Sequence, residues 1–73
     1  MTYLKFYSPT CQPCKVVDLL FKSRGIEYTD INVAEDQEMA IKYNVRGVPT
    51  VIVVDDNGKE IQRAVGIQQI EQL

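Results

Sequence analysis

Two cysteines, Cys11 and Cys14, are the residues of this chain whose type and spacing could do chemistry. A turn-forming run, Ser8-Pro9-Thr10, ends a β-like segment before them, and a helical pattern of apolar residues begins at Cys11. A Cys-x-x-Cys pair at a junction between a strand and a helix can cycle between a dithiol and a disulfide. The residues alone leave two other interpretations open: half of a metal site, or two buried cysteines that act as small apolar side chains.

The composition indicates one small globular domain over residues 1–73, with 45% hydrophobic and 25% charged residues. A net charge of −2 and the lack of a basic run argue against a nucleic-acid partner. No apolar run reaches the roughly 20 residues of a membrane span. The first residues lack the pattern of a secretory signal, so a cytoplasmic location is expected. In a reducing cytosol a lone cysteine pair is catalytic or metal-binding.

A metal site built from cysteine and histidine needs more ligands than one copy of this chain offers. A zinc site usually has four N, S or O ligands, and the sequence has no histidine and no third cysteine. Only a dimer could then complete a zinc or iron–sulfur site with Cys11 and Cys14. We therefore predict no metal bound within one chain.

The apolar pattern predicts the element order βαβαββα. Strands are predicted over residues 2–7, 26–33, 50–54 and 60–65, and helices over residues 11–24, 35–43 and 67–73. A strand, a helix and a second strand in succession form a right-handed crossover between parallel strands. The expected fold is therefore α/β, with a four-stranded mixed sheet flanked by helices on both faces.

The first predicted helix has one apolar face. The residues predicted to point to the core are Val16, Val17, Leu20 and Phe21. Asp18 is predicted to point away from it. Pro13 fits the first turn, where its missing N–H costs no hydrogen bond, and Gly25 is expected to end the helix.

This element order, together with three short sequences, resembles the thioredoxin/glutaredoxin superfamily. Cys11-Gln12-Pro13-Cys14-Lys15 is similar to the thioredoxin active site, in which a proline precedes the second cysteine. Lys42-Tyr43-Asn44-Val45-Arg46-Gly47-Val48-Pro49-Thr50 is similar to the thioredoxin segment that carries a cis-proline. Val65-Gly66 falls where the family has a glycine opposite the active site. The resemblance covers nearly the whole chain and implies a thioredoxin fold with a redox-active cysteine pair.

The length is closer to that of the glutaredoxins, because the chain has no room for the extra N-terminal strand and helix of thioredoxins. Glutaredoxins hold glutathione partly through a lysine before the first cysteine and a late Gly-Gly-x-Asp-Asp-like motif. Here the first position is Ser8, and the late region is Val65-Gly66-Ile67-Gln68-Gln69. The resemblance therefore implies a small glutaredoxin-like redoxin with a thioredoxin-type active site.

The resemblance implies distinct roles for the residues of the cysteine motif. Cys11 is expected to be the nucleophile, because a helix N-terminus lowers the pKa of a thiol from about 8.5 and favours the thiolate. Cys14 is expected to be more buried and to resolve the mixed disulfide that Cys11 forms. Gln12 and Pro13 are expected to tune the pair, and Pro49 to be cis and to face the sulfurs.

A partner protein is expected to bind at a rim around the cysteines. The residues predicted for this rim are Tyr7, Thr10, Val48, Gly66 and Ile67. The backbone of Val48 is expected to pair with an extended segment of the substrate. Gly47 and Gly66 are expected to allow close approach of the backbone, with simple turns as the alternative.

Lys5 is the least expected residue, because it lies in a strand predicted to be central. Thioredoxins carry a buried acid at this position and a lysine on the neighbouring strand, where this chain has Asp30. Our hypothesis is that Lys5 and Asp30 are close together beneath Cys14, with Lys5 stabilising the thiolate of Cys14. The alternative is a lysine that extends past the sheet edge and an exposed Asp30.

The resemblance implies a monomeric electron carrier that reduces disulfides of partner proteins, with ribonucleotide reductase as a candidate by analogy. It needs no cofactor beyond its own disulfide, and a thioredoxin-reductase-type flavoenzyme would supply electrons from NADPH. One alternative is a glutathione-dependent glutaredoxin. Another is a non-catalytic adaptor of the same fold, or a dimer bridged by a metal.

Overall fold

The computed structural model describes residues 1–73, and its element order is βαβαββα. The strands are β1 (Thr2–Tyr7), β2 (Thr29–Asn32), β3 (Thr50–Val54) and β4 (Glu60–Val65). The helices are α1 (Gln12–Arg24), α2 (Gln37–Lys42) and α3 (Gly66–Glu71). The predicted order is confirmed, and the bounds of β1, β3 and β4 are those predicted.

The sheet is mixed and has the strand order β2-β1-β3-β4. β1 pairs with β2 in parallel, whereas β3 is antiparallel to both β1 and β4. Since β1 and β3 are adjacent and antiparallel, with Phe6 opposite Thr50, the cysteine motif that follows β1 lies near the start of β3. This topology brings the cysteine motif and the Val48–Pro49 segment together at the same end of the sheet, beside its two inner strands.

Each face of the sheet has its own buried cluster. On one face, Leu4, Phe6, Ile31, Ile52 and Val54 pack with Tyr43, which follows α2, and Met39 of α2 lies against them. On the other face, Val51 and Ala64 pack with Val17 and Phe21 of α1 and Ile70 of α3. The alternation of side chains along the strands therefore places α2 on one face and both α1 and α3 on the other.

Helix α1 begins and ends at residues whose chemistry favours those ends. Cys11 is the N-cap residue, and Pro13 lies in the first turn. Gly25 ends the helix at φ 67°, and its N–H donates to the carbonyl of Lys22 at 3.2 Å. Glycine adopts this left-handed conformation without the steric penalty of a side chain. The rigid start of α1 fixes the position of the cysteine motif.

Two predictions for α1 are wrong. Val16 was predicted to face the core, but it is 47% exposed. Asp18 was predicted to point to solvent, but its carboxylate faces the sheet and contacts Lys5. Both follow from one rotation of the helix: Val17 and Phe21 take the centre of the buried face, which leaves Val16 at its outer edge and turns Asp18 toward β1.

Strand β2 is shorter than predicted and begins at Thr29 instead of residue 26. After Gly25 the chain still contacts α1, because the N–H of Ile26 donates to the carbonyl of Phe21 at 2.9 Å. Pairing with β1 starts only where Leu4 meets Thr29. The side chain of Tyr28 therefore packs against Phe21 of α1, with ring centroids 5.2 Å apart.

Candidate active site

Cys11 and Cys14 form a disulfide at the N-terminus of α1, with their Cα atoms 5.3 Å apart. The sulfur of Cys11 caps the helix and accepts a hydrogen bond from the N–H of Cys14 at 3.1 Å. The side chain of Cys11 is partly exposed, whereas Cys14 is only 2% exposed. An incoming thiolate or disulfide can thus reach Cys11 and not Cys14, as the roles inferred from the sequence require.

The helix start favours a charged sulfur at Cys11 once the disulfide is reduced. N–H groups of the first helical turn have no partner within the helix, and the helix dipole places partial positive charge there. The hydrogen bond from Cys14 N–H already points at the Cys11 sulfur. Gln12 and Pro13 are exposed between the cysteines, and neither side chain adds charge to the site.

The Val48–Pro49 peptide bond is cis, as predicted, and Pro49 is buried. The carbonyl of Pro49 accepts a hydrogen bond from the N–H of Gly66 at 3.0 Å, which ties this segment to the start of α3. The hydroxyl of Thr50 donates to the carbonyl of Gly47 at 2.7 Å and closes the turn. Val48 makes no backbone hydrogen bond within the chain, so its N–H and C=O are free to pair with another chain.

A groove of about 450 Å³ lies between this segment and the cysteine motif. Three of the residues predicted for the rim line it, namely Val48, Gly66 and Ile67. Pro13 and Pro49 also line it, together with the uncharged Gln68 and Gln69. The groove thus combines apolar side chains of Val48, Pro49 and Ile67 with the amide side chains of Gln68 and Gln69 beside the cysteine motif.

The other two predicted rim residues lie elsewhere. Thr10 is exposed in the turn before Cys11 and lines neither this groove nor the cavity behind the disulfide. The ring of Tyr7 faces that cavity instead, with its centroid 5.1 Å from the Lys5 ammonium. The groove is therefore formed by the first turn of α1, the Val48–Pro49 segment, the end of β4 and the start of α3, without the end of β1.

Backbone conformation, and not crowding, requires a glycine at position 66. Gly66 has φ 83°, a left-handed conformation that side chains rarely adopt. An added Cβ at Gly66 or Gly47 would have no atom within 4 Å. No backbone of this chain therefore approaches either glycine closely. The expected close approach of a partner backbone stays a prediction, and a turn is sufficient for Gly47.

A buried lysine lies directly behind the disulfide. Lys5 is 2% exposed, and its ammonium is 3.3 Å from Oδ1 of Asp30 on β2. A cavity of about 250 Å³ is lined by Lys5 and Asp30 and also by both cysteines. The structure therefore brings Lys5 and Asp30 together next to Cys14, where the sequence comparison with thioredoxins places an acid and a lysine.

Asp18 is a third charged member of this cluster, and the sequence interpretation missed it. Its carboxylate accepts hydrogen bonds from the Lys5 ammonium and from the Tyr28 hydroxyl, the latter at 2.7 Å. One sequence signal could have found it: Cys14, Asp18 and Phe21 are spaced by four and three residues, which places them on one helix face. A buried lysine in the adjacent strand also requires such a partner.

The cluster favours ionised carboxylate at Asp18. Partial burial alone would raise the pKa of Asp18, but the hydrogen bonds from Lys5 and Tyr28 and the positive charge of Lys5 outweigh it, and the pKa lies below its usual range. Burial and the hydrogen bond to Asp18 raise the pKa of Tyr28. Tyr28 therefore remains a neutral donor, and Asp18 remains an anion, across the physiological range.

No group of three or more His, Cys, Asp or Glu side chains is arranged to hold a metal ion. None of the helices has the length and apolar composition needed to cross a membrane.

Comparisons with known proteins agree with this geometry. The thioredoxin-like protein YosR of Bacillus subtilis, which derives from the SPbeta prophage, is 34% identical over 71 residues, covering 97% of this chain and 89% of its own. Bacillus subtilis thioredoxin is 35% identical over 74 residues, covering 93% of this chain and 70% of its own.

Solved thioredoxin structures have the same fold. A mutant thioredoxin from Halobacterium salinarum superposes with a TM-score of 0.83 at 29% identity, over 97% of this chain and 66% of that protein. The chain thus spans about two thirds of that structure. The thioredoxin family model matches residues 1–73. With its Cys11–Cys14 disulfide at the start of α1, the chain has a thioredoxin fold and belongs to the thioredoxin family of thiol–disulfide oxidoreductases.

Proposed function

We propose that this chain is a cytoplasmic, monomeric electron carrier that reduces disulfide bonds of partner proteins. The observation that carries the proposal is the asymmetry of the cysteine pair beside the groove. Cys11 is accessible at the helix cap, whereas Cys14 is buried one turn further on. This arrangement suits an attacking sulfur followed by a resolving sulfur.

The proposed reaction transfers two electrons in two exchange steps. The Cys11 thiolate attacks one sulfur of the partner disulfide, and the other partner sulfur leaves as a thiolate and takes up a proton. Cys14 then loses its proton and attacks the sulfur of Cys11. The bond between Cys11 and the partner breaks, the second partner thiolate is released, and the Cys11–Cys14 disulfide forms.

The groove formed by Val48, Pro49 and Ile67 supports a protein as the substrate. The free backbone groups of Val48 would pair with an extended segment of the partner, and the apolar walls would contact its side chains. Backbone pairing depends little on the side chains of the partner, so the carrier would accept several proteins that contain disulfides. By analogy with the family, ribonucleotide reductase is one candidate.

The residues around the groove favour a flavoenzyme of the thioredoxin-reductase type over glutathione as the electron donor. Glutathione carries two carboxylates, which a selective pocket holds best with cationic side chains, because charge-assisted hydrogen bonds are the stronger ones. The end of the groove near α3 offers Gln68 and Gln69, which are uncharged. In the proposed cycle the flavoenzyme uses NADPH to restore the Cys11–Cys14 dithiol, and the chain itself needs no bound cofactor.

The test is an insulin-reduction assay with NADPH, run once with thioredoxin reductase and once with glutathione and glutathione reductase. We expect turnover with thioredoxin reductase only. A Cys11→Ser variant is the control and should be inactive with either donor. Turnover with glutathione alone would indicate a glutaredoxin. No turnover with either donor or with dithiothreitol would indicate an adaptor whose cysteines are idle or bridge a metal in a dimer.

A further inference from the structure

The cation behind the disulfide is surrounded by more negative charge than it carries. The Lys5 ammonium contacts the carboxylates of Asp18 and Asp30, so the three side chains together have a formal charge of −1 when all are ionised. Lys5 is 2% exposed, whereas the side chains of Asp18 and Asp30 are 32% and 49% exposed. A buried ammonium of this kind requires at least one close anion.

Cys14 is a further residue that lines the cavity of this ammonium. Lys5, Asp18, Cys11 and Cys14 line the same cavity of about 250 Å³. Asp18 follows Cys14 by one helical turn, and its carboxylate holds the Lys5 ammonium from the α1 side. When Cys14 becomes a thiolate in the resolving step, it competes with Asp18 for the positive charge of Lys5.

We propose that Asp18 is a positioning residue that holds the Lys5 ammonium and withholds part of its charge from Cys14. Cys14 then stays a thiol in the free dithiol and loses its proton only when a mixed disulfide has formed on Cys11. The proposal rests on the proposed function for one point only, the role of Cys14 as the resolving sulfur.

The charged and ionisable groups around Lys5 are few. The Tyr7 ring on β1 lies next to the Lys5 ammonium. Asp30 of β2 and Tyr28, which precedes β2, lie on its second side. Helix α1 contributes Asp18 and the exposed Lys15, and Lys22 adds positive charge near Asp18. Its register partner on β3 is the apolar Val51. Ala64 and Ile70, which complete this face from β4 and α3, carry no charge.

The direction in which two substitutions shift the titration of Cys14 distinguishes this role from a merely structural one. Lys5→Met removes the cation and leaves two carboxylates, which disfavours the Cys14 thiolate. Asp18→Asn keeps the shape of the side chain and removes one carboxylate, which leaves more of the Lys5 charge for Cys14. The two variants should therefore shift the Cys14 titration in opposite directions, whereas simple loosening of the cluster would not give opposite signs.

The experiment titrates Cys14 by NMR, through the pH dependence of its Cβ chemical shift, in a Cys11→Ser background where Cys14 is the sole thiol. We expect Asp18→Asn to raise the thiolate fraction near neutral pH by roughly threefold to tenfold and Lys5→Met to lower it. Asp56→Asn is the matched control: it makes the same chemical change at a side chain that is 99% exposed, beyond the far end of β3. This control should not move the titration.

Equal titrations for the Asp18→Asn and Asp56→Asn variants would overturn the proposal, as would shifts of one sign for Asp18→Asn and Lys5→Met. If Lys5→Met does not fold, the comparison of the two Asn variants still decides the question. Neither a donor enzyme nor a partner protein enters this measurement. Failure of the insulin assay and failure of this proposal are therefore separate outcomes.

Discussion

Lys5 on β1 and Asp30 on β2 are direct partners in the parallel register, and their charged groups lie 3.3 Å apart behind the active-site disulfide. Adjacent parallel strands place side chains of such partners on the same face of the sheet. On this face α1 covers the pair and brings Cys14 and Asp18 to the same cavity. Inverting the acid and the lysine relative to thioredoxins thus keeps the two charges adjacent.

Replacement of either cysteine should separate the two steps of the exchange reaction. Cys11→Ser removes the exposed nucleophile, and we expect no reduction of a protein disulfide. Cys14→Ser removes the resolving sulfur, so a covalent adduct between Cys11 and the partner should accumulate. Mass spectrometry of the reaction mixture under non-reducing conditions checks this. Adduct formation by Cys11→Ser and not by Cys14→Ser would reverse the assigned roles.

Acid should destabilise the protein partly through Asp18. Because the folded state holds the pKa of Asp18 below its usual range, the unfolded state takes up the proton first as the pH falls. The contribution is present above about pH 4 and is lost as the pH falls through the lower pKa of the folded state. Urea unfolding of wild type at about pH 7 and about pH 3 should show this loss.

The Asp18→Asn variant should lose less stability than wild type over the same pH interval, since it has no carboxylate to protonate. Glu60→Gln is a comparison at the surface. Hydrogen bonds from Arg63 lower the pKa of Glu60 in the same direction, but this pair is exposed, and solvent screening reduces its effect. An identical pH dependence in wild type and Asp18→Asn would contradict the prediction.

Arg63 should stabilise the loop that leads to Pro49. Its guanidinium donates to the carbonyls of Tyr43 and Asn44, which end α2, and to the carboxylate of Glu60 at 2.8 Å. We expect Arg63→Met to lower the free energy of unfolding by about 1–3 kcal/mol, because it removes charged hydrogen bonds to the backbone. Arg63→Lys keeps the charge but lacks the planar guanidinium, so its free energy of unfolding should lie between those of wild type and Arg63→Met. Urea denaturation measures the free energy of unfolding of both variants. Equal values for Arg63→Met and Arg63→Lys would argue against a role for the planar guanidinium.

Phe21 should be one of the most sensitive core positions. Its side chain is 0% exposed, and its ring meets those of Tyr3 and Tyr28 edge to face at centroid distances of 6.0 and 5.2 Å. Phe21→Ala should cost about 3–5 kcal/mol, through lost burial and the remaining cavity. Phe21→Leu retains much of the volume and should cost less. Chemical denaturation measures the free energy of unfolding of both variants. An equal loss in the two would show that the aromatic contacts matter more than the buried volume.

Gly66 and Gly47 form a matched pair for testing backbone conformation beside the groove. Gly66 has a positive φ, whereas Gly47 does not, and an added Cβ meets no atom within 4 Å at either position. Gly66→Ala should therefore cost about 1–2 kcal/mol from the left-handed conformation alone. Gly47→Ala should be nearly neutral. Thermal or urea unfolding compares them, and an equal cost for the two variants would contradict the conformational explanation.

The sequence by itself determined the order of elements, three of the four strands and the place of the cysteine pair. These features are local: the continuous β-branched run Thr50–Val54, the proline within Cys11-Gln12-Pro13-Cys14 and the glycine at residue 25 each act over a few neighbouring residues. The proximity of Lys5 and Asp30 also followed from the sequence, because the resemblance to the family places these two positions on neighbouring strands.

Only the tertiary structure decided the direction of Asp18. Its polarity indicates a solvent-facing position when the helix is considered alone. The partner that draws it inward is Lys5, which lies 13 residues earlier on another element. Its burial becomes favourable only when α1 packs on the sheet and the ammonium needs a counter-charge. A side chain whose environment depends on a distant charge cannot be assigned from the periodicity of its own helix.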